Sequence, residues 1–456
     1  MFSLFKLPKD ASFSNKEIIL FLLPILFEQI LLTSLLMADT LMISRLPGSE
    51  SALAGIANVS RLDTMFKQIF VAFAAGGGIF IAQFLGAKRY KDANKSLKMS
   101  ITSMVLIAII IAAILEIFKV TILNFLFGEV EEKVMNQSLK YYTITILTYP
   151  FMALFNCGTA SFRSMGKSKI TMYASVVMMS INLGFKYLFL FPLKLGVTGA
   201  GMSQLIAYAI TGIALFIMLC SKKNKVYIDN PLKFEWDGRM IARIYKVVMP
   251  TGIENGIFQL GALILQSLVA SLGIVAINAD HLTHTMANLI YAPAVTFTLG
   301  IIPFVSKCMG AGRVDEAEFY TRHIVKLDHM VLAVFAIIYV PLIPTILKIF
   351  NMSDEILREA ARASTLYFIA MPLMYPKSFA IPSALRGTGD TAFTMIVAAA
   401  TMFLFHIGFA YLLVKVFDFG MIAIWIAMVS DWLVRGTIFS FRLKKGKWRK
   451  NHIIDI

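Results

Sequence analysis

Apolar residues in this chain come in long, nearly unbroken runs, each closed by a short polar break. Neither a helical stripe nor a strand-like alternation dominates. Twelve runs stand out, at 18–43, 52–82, 97–118, 137–160, 169–191, 197–219, 241–270, 276–306, 323–350, 361–385, 391–416 and 419–441. Each is long enough to cross roughly 30 Å of hydrocarbon as a helix. The pattern predicts an all-α integral membrane protein with twelve transmembrane helices. Runs beyond about 25 residues imply tilt or projection past the bilayer. Pro24, Pro150, Pro250, Pro293, Pro372 and Pro376 lie in or beside runs and predict kinks.

The runs also repeat. Pro24-Ile-Leu-Phe-Glu28 returns as Pro250-Thr-Gly-Ile-Glu254, and Gly86-Ala-Lys-Arg-Tyr-Lys-Asp-Ala93 as Gly310-Ala-Gly-Arg-Val-Asp-Glu-Ala317. Phe162-Arg-Ser-Met-Gly-Lys-Ser-Lys169 returns as Leu385-Arg-Gly-Thr-Gly-Asp-Thr-Ala392. The polar stretch 221–240 divides the chain into an N-terminal six-helix lobe (1–220) and a C-terminal six-helix lobe (241–456). An even span count per half gives both copies the same orientation, related by an axis along the membrane normal. Duplicated membrane units are the mark of transporters, whose substrate path lies between the copies.

Composition sharpens the picture. The chain is 58% hydrophobic and 15% charged, with a mean hydropathy of +0.74, which excludes a soluble domain. Its net charge of +16 invites a nucleic-acid reading. The basic residues instead sit in short loops on one side: roughly 29 Lys/Arg inside against roughly 10 outside, by the positive-inside rule. Both termini are thus expected in the cytoplasm, with the protein multi-pass in the cell membrane. The acidic segment Glu129, Glu131 and Glu132 falls on the outer side. The first run reads as a retained anchor rather than a cleaved signal. Cys157, Cys220 and Cys308 are too scattered for a disulfide framework or a metal site. Gly76-Gly77-Gly78 lies inside a run and reads as close helix packing, since a phosphate loop needs a strand before it.

Further landmarks are Glu28-Gln29, Ala38-Asp39-Thr40, Val59-Ser-Arg-Leu-Asp63, Glu254-Asn255-Gly256-Ile-Phe-Gln259-Leu-Gly261, Pro382-Ser-Ala-Leu-Arg386-Gly-Thr-Gly389-Asp390, Asp431-Trp-Leu-Val-Arg435 and Gly446-Lys-Trp448. In this order and spacing they resemble the MATE (multidrug and toxic compound extrusion) family, especially its branch common in Gram-positive anaerobes. The resemblance covers nearly the whole chain. It implies alternating access between two lobes, a Na⁺ or H⁺ gradient as driving force, and amphipathic, often cationic organic substrates.

A charge at the bilayer centre costs roughly 2.5–3.5 kcal/mol on insertion scales, so each acid needs a reason. Asp63 has Lys67 and Asp431 has Arg435 at i+4, pairs that neutralise along one helix face. Asp280 with His284 is either a satisfied pair or part of a proton path. Glu28, Asp39 and Glu254 have no opposite charge at i±3 or i±4. Burial without a partner favours the neutral acid, which lets such groups take up and release protons. With further oxygens, Glu254 or Asp39 could hold Na⁺; a partner on another helix is the structural alternative.

In well-known members of the family an Asp stands four residues after the Asn of the fifth span. Here Asn182 is followed by Lys186. Either Lys186 substitutes for a bound cation beside Glu28 and Asp39, or it snorkels to the membrane edge. Lys377 is a second cation without a local partner and a candidate partner for Glu254. Arg163, Gly166, Arg386, Gly389 and Asp390 read as structural loop residues, with the arginines on terminal carbonyls and the glycines at positive φ.

The combined expectation is a monomeric antiporter without cofactor or metal, not an enzyme, that exports amphipathic cationic compounds in exchange for H⁺ or Na⁺. The alternative is an exporter or flippase of lipid-linked or anionic substrates, which Lys186 and Lys377 would favour.

Overall fold

A computed structural model describes residues 11–44, 49–128, 131–231, 233, 236–350, 352–451 and 453–454. Glu129 of the acidic segment and residues 232, 234 and 235 of the 221–240 stretch lie outside them. Among the described residues there is no strand. The first eight rods are α1 (Asn15–Ser44), α2 (Ser49–Gly86), α3 (Tyr90–Phe127), α4 (Glu132–Ser164), α5 (Ser168–Leu190), α6 (Gly196–Leu219), α7 (Gly238–Ala270) and α8 (Ile274–Gly310). In the ninth, α9 (Val314–Tyr339) runs through a 3₁₀ turn into the short α10 (Ile343–Leu347). The tenth joins α11 (Asp354–Tyr375) to α12 (Ile381–Thr388) through a π-helical turn, Pro376–Ala380. The eleventh joins α13 (Thr391–Thr401) to α14 (Phe409–Lys415) through a second π turn, Met402–Gly408, and α15 (Ile422–Lys445) is the twelfth.

Every run expected to span the membrane falls on one rod. Ten rods are long and apolar enough to cross a membrane. The other two are α4, diluted by its Tyr, Thr and Asn residues, and the α11–α12 rod, which opens with five charges between Asp354 and Arg362. α2 and α3 have 38 residues each, about 57 Å at ~1.5 Å per residue, well beyond a hydrocarbon core.

The duplication is written into the backbone. Lys88 (φ +56°) and Gly312 (φ +72°) occupy equivalent left-handed positions, as do Gly166 (φ +84°) and Gly389 (φ +97°). A left-handed residue costs a side chain about 1–2 kcal/mol, so glycine serves at three of these four sites. The residues after the first pair, Arg89 and Arg313, open α3 and α9 and each bridge to the acid three residues on, Asp92 at 2.7 Å and Glu316 at 3.0 Å.

The rods gather in two compact units, Leu23–Gly252 and Ile253–Ile456 with Met1–Leu22. The sequence places the division in 221–240, whereas the units change over inside α1 and α7, within two residues of Pro24 and Pro250. A proline removes a helical hydrogen bond and bends the rod, so its two halves can pack on different neighbours. The start of α1 is tied into its unit at Tyr320, whose hydroxyl accepts from Phe13 N (2.7 Å) and donates to Phe13 O (2.9 Å).

In the Leu23–Gly252 unit, α4 packs on α2, α3 and α6, and α5 on α6. Close approach explains the triple glycine: a Cβ on Gly76 would stand 2.1 Å from Val248, and one on Gly77 or Gly78 would stand 2.8 Å from a serine oxygen. In the Ile253–Ile456 unit, α8 packs on α9, α11 and α12, and α15 on α11 and both π turns. Tyr367, Tyr375, Phe379, Trp425 and Trp432 form an aromatic core there, largely edge to face.

Candidate functional site

Glu28 lies one turn past Pro24 and is 1% exposed. Its Oε1 accepts from Arg163 Nη2 (2.6 Å) and Ser175 Oγ (3.1 Å), and its Oε2 from Thr171 Oγ1 (3.0 Å). The last turn of α4 and the first two turns of α5 thus close on one acid of α1. Three helical turns further along α1, Asp39 meets Lys186 Nζ at 2.5 Å. Asn182, one turn before Lys186, accepts from Ser203 at 3.2 Å. Asp63 holds Lys67 at 2.6 Å, and Tyr141 and Tyr208 stand within electrostatic reach of Asp39, Asp63 and Lys67. This unit therefore sets two acids against two ammonium groups.

The Ile253–Ile456 unit repeats the first of these contacts more loosely. Glu254 is 5% exposed, and its Oε1 stands 3.5 Å from Arg386 Nη2. Glu254 Oε2 and Arg386 Nε are buried without a hydrogen-bond partner. Asp431 pairs with Arg435 at 3.3 Å, and that buried guanidinium also lies over Phe379 (4.5 Å) and Phe258 (5.1 Å). Asp280 accepts from Trp425 Nε1 (3.0 Å), with His284 at 3.6 Å and largely exposed. Asp390 takes a two-pronged contact from Arg442 (2.8 and 3.1 Å), which fastens its loop to α15. Asn255 is half-buried and Lys377 exposed.

Several expectations change. Glu28, Asp39 and Glu254 each have a basic partner on another helix, at sequence distances local inspection cannot reach. Arg163 and Arg386 do not serve terminal carbonyls; each reaches the acid of its own repeat, and Arg386 rather than Lys377 faces Glu254. Lys186 is 3% exposed and paired, so it does not snorkel. Gly166 and Gly389 have the expected positive φ. The i+4 pairs at Asp63, Asp280 and Asp431 form. Thr171 and Ser175 escaped the sequence reading, although both fall one helical turn apart on α5. Asp328 escaped it too, although it meets the same criterion as Glu28: an acid within an apolar run with no opposite charge at i±3 or i±4.

Outside the spans, Asp237 opens α7. Its Oδ1 accepts from Arg239 N (2.9 Å) and Met240 N (3.0 Å), and its other oxygen meets Lys95. The Lys95 ammonium first, then these backbone donors, hold its carboxyl below the ordinary aspartate range.

Comparison with known proteins agrees with the repeat. The MatE family model matches twice, over residues 24–188 and 250–412. The chain is 25% identical to an uncharacterized transporter, YisQ, of Bacillus subtilis, over 97% of this chain and 96% of that one. It is 24% identical to a probable multidrug resistance protein, NorM, of Thermotoga maritima, over 99% and 98%. A crystal structure of MATE in the straight conformation superposes with a TM-score of 0.87 at 17% identity, covering 94% of this chain and 96% of the other. With the family model on both halves and the same fold throughout, this chain belongs to the MatE family of multi-pass membrane transporters and is not an enzyme.

Proposed function

We propose that the protein is a secondary antiporter of the cell membrane, with both termini cytoplasmic. It exports amphipathic, cationic organic compounds while H⁺ or Na⁺ enters, and Glu254 is the coupling group. The observation that carries this reading is the contrast between two equivalent acids. Both oxygens of Glu28 are engaged, by one guanidinium and two hydroxyls. Glu254 keeps a buried, idle oxygen beside a guanidinium 3.5 Å away. An idle buried carboxylate oxygen is costly, and a proton or a Na⁺ relieves it. The ion then stabilises one access state over the other by its differential affinity. Asp39 already has a cation in Lys186, which supports leaving the exchange to Glu254.

A second reading, export of anionic or lipid-linked compounds, is favoured by the exposed Lys377 on the π turn. The test is efflux from vesicles holding the purified protein under imposed Na⁺ or pH gradients. A fluorescent organic cation and a fluorescent organic anion are run in parallel. The cation moves, its rate follows one gradient, and Glu254→Gln loses that dependence by about 5–150-fold, the usual size of coupling between two sites. An unchanged gradient dependence in Glu254→Gln refutes the assignment, and transport of the anion alone favours the second reading.

A further inference from the structure

Asp328 sits near the middle of α9, in a rod long and apolar enough to span a membrane. It is 0% exposed, so it faces neither lipid nor water, and both of its carboxylate oxygens lack a hydrogen-bond partner. None of the ion pairs described above includes it. The next residue, His329, lies against the bend of the neighbouring rod: its Nδ1 is 2.5 Å from Pro372 O. That carbonyl needs a partner because Pro376, four residues on, has no N–H to give it. The π turn Pro376–Ala380 begins at the same proline. Such turns mark places where a helix stores a local irregularity, often for function. One turn of α9 therefore joins a fully enclosed acid to the group that fills the break in the α11–α12 rod.

The charged and titratable neighbours are few. On α11, Tyr375 stands within electrostatic reach of Asp328, and Tyr291 of α8 within reach of Tyr375. Lys377 of the π turn is within reach of His329. α8 runs antiparallel to α9, so Asp328 is level with about residue 297 by helical rise. Lys307 and Cys308 lie toward the connecting turn, and Asp280, His281 and His284 toward the far end. Arg386 of α12 is engaged with Glu254. On α9 itself the titratable groups nearest in sequence are His323, Lys326 and His329. No described cation forms an ion pair with Asp328.

We propose that Asp328 is a second proton-binding site of this carrier, separate from the Glu254–Arg386 pair, whose occupancy is tied to the bend at Pro372–Pro376. In the packed arrangement the carboxyl keeps its proton, because a carboxylate there would have neither counter-charge nor donor. When the α9–α11 contact slackens at the bend and water enters, the carboxyl O–H breaks, the proton passes to water and the carboxylate remains. This deepens the antiporter reading by adding a proton to the cycle, and it rests on that reading only for its effect on transport.

Infrared spectroscopy of the full-length protein in lipid tests the site directly, because a protonated carboxyl has a carbonyl stretch that a carboxylate lacks. Asp328→Asn removes one such band, and in the wild type the band weakens as pH rises. If the asparagine variant does not fold, Asp328→Leu serves the same assignment. A spectrum in which neither substitution removes a band overturns the proposal. In vesicles, a proton site changes the efflux rate by up to about tenfold per pH unit over its titration range, and Asp328→Asn flattens that response. A folded Asp328→Asn with the wild-type pH profile makes Asp328 a structural group only and also overturns it. Failure to move any organic cation would undo the antiporter reading, while the infrared arm would still decide the proton site.

Discussion

Arg163→Met strips the guanidinium from Glu28 while keeping most of the aliphatic stem. Glu28 is 1% exposed and the contact is 2.6 Å long, so the substitution leaves a carboxylate out of water without its counter-charge. Breaking one side of a buried pair costs about 3–5 kcal/mol. The acid has an escape, however, because it can take a proton. For an ordinary glutamate at about pKa 4.3, that costs about 3.7 kcal/mol at pH 7 and about 1 kcal/mol at pH 5. The cheaper route sets the loss, so the variant is weakened by about 3–4 kcal/mol at pH 7 and about 1 kcal/mol at pH 5. The sign follows from the orphaned acid: its deficit is present well above the ordinary carboxyl value and shrinks as pH falls toward it. Membrane proteins commonly unfold irreversibly, so the assay is the half-life of the detergent-solubilised protein at fixed temperature. If the contact is already lost in the unfolding transition state, Arg163→Met shortens that half-life by about two to three orders of magnitude at pH 7 and about fivefold at pH 5. The double variant Glu28→Gln/Arg163→Met lacks the pH-dependent part. A deficit equal at both pH values, or equal in single and double variants, refutes the reasoning.

Gly76→Ala drives a methyl group to 2.1 Å from Val248. Overpacking of this kind costs about 1–3 kcal/mol, read as a lower unfolding temperature that Val248→Ala restores. At the start of α7, the depressed carboxyl of Asp237 contributes stability that is complete above the ordinary aspartate value and lost as pH falls through its lower folded value. In acid titrations, Lys95→Met therefore loses less stability than the wild type below about pH 4, by no more than about 1 kcal/mol for so exposed a pair. Equal acid sensitivity of the two proteins would remove Lys95 as the cause.

The duplicated landmarks were legible because local geometry demands them. Gly166 and Gly389 must turn left-handed after a helix, and Arg89 and Arg313 open a helix toward an acid three residues on. Those requirements act over a few residues, so they leave a mark at a few residues. The pairing of Glu28 with Arg163 spans 135 positions, and nothing in either segment names the other. Lys186 has no acid at i±3 or i±4, and only folding brings Asp39 to it. The π turns were likewise hidden: Pro372 and Pro376 announce a bend without saying that His329 covers the freed carbonyl, and no proline marks Met402–Gly408 at all. Asp328 was visible by the criterion applied to Glu28, and what sets it apart is that folding encloses it without a hydrogen-bond partner on either oxygen, whereas Glu28 has partners on both.

Length and apolarity of the runs alone settled that this chain crosses a membrane as helices, because a backbone in hydrocarbon must satisfy its own polar groups within the segment. Repetition of turns and helix starts settled that the chain is built twice. Tertiary structure decided which acids are quenched, and where the compact units change over within α1 and α7. Both depend on contacts between helices distant in sequence, where an ångström in a buried ion pair separates the closed Glu28 site from the open Glu254 one.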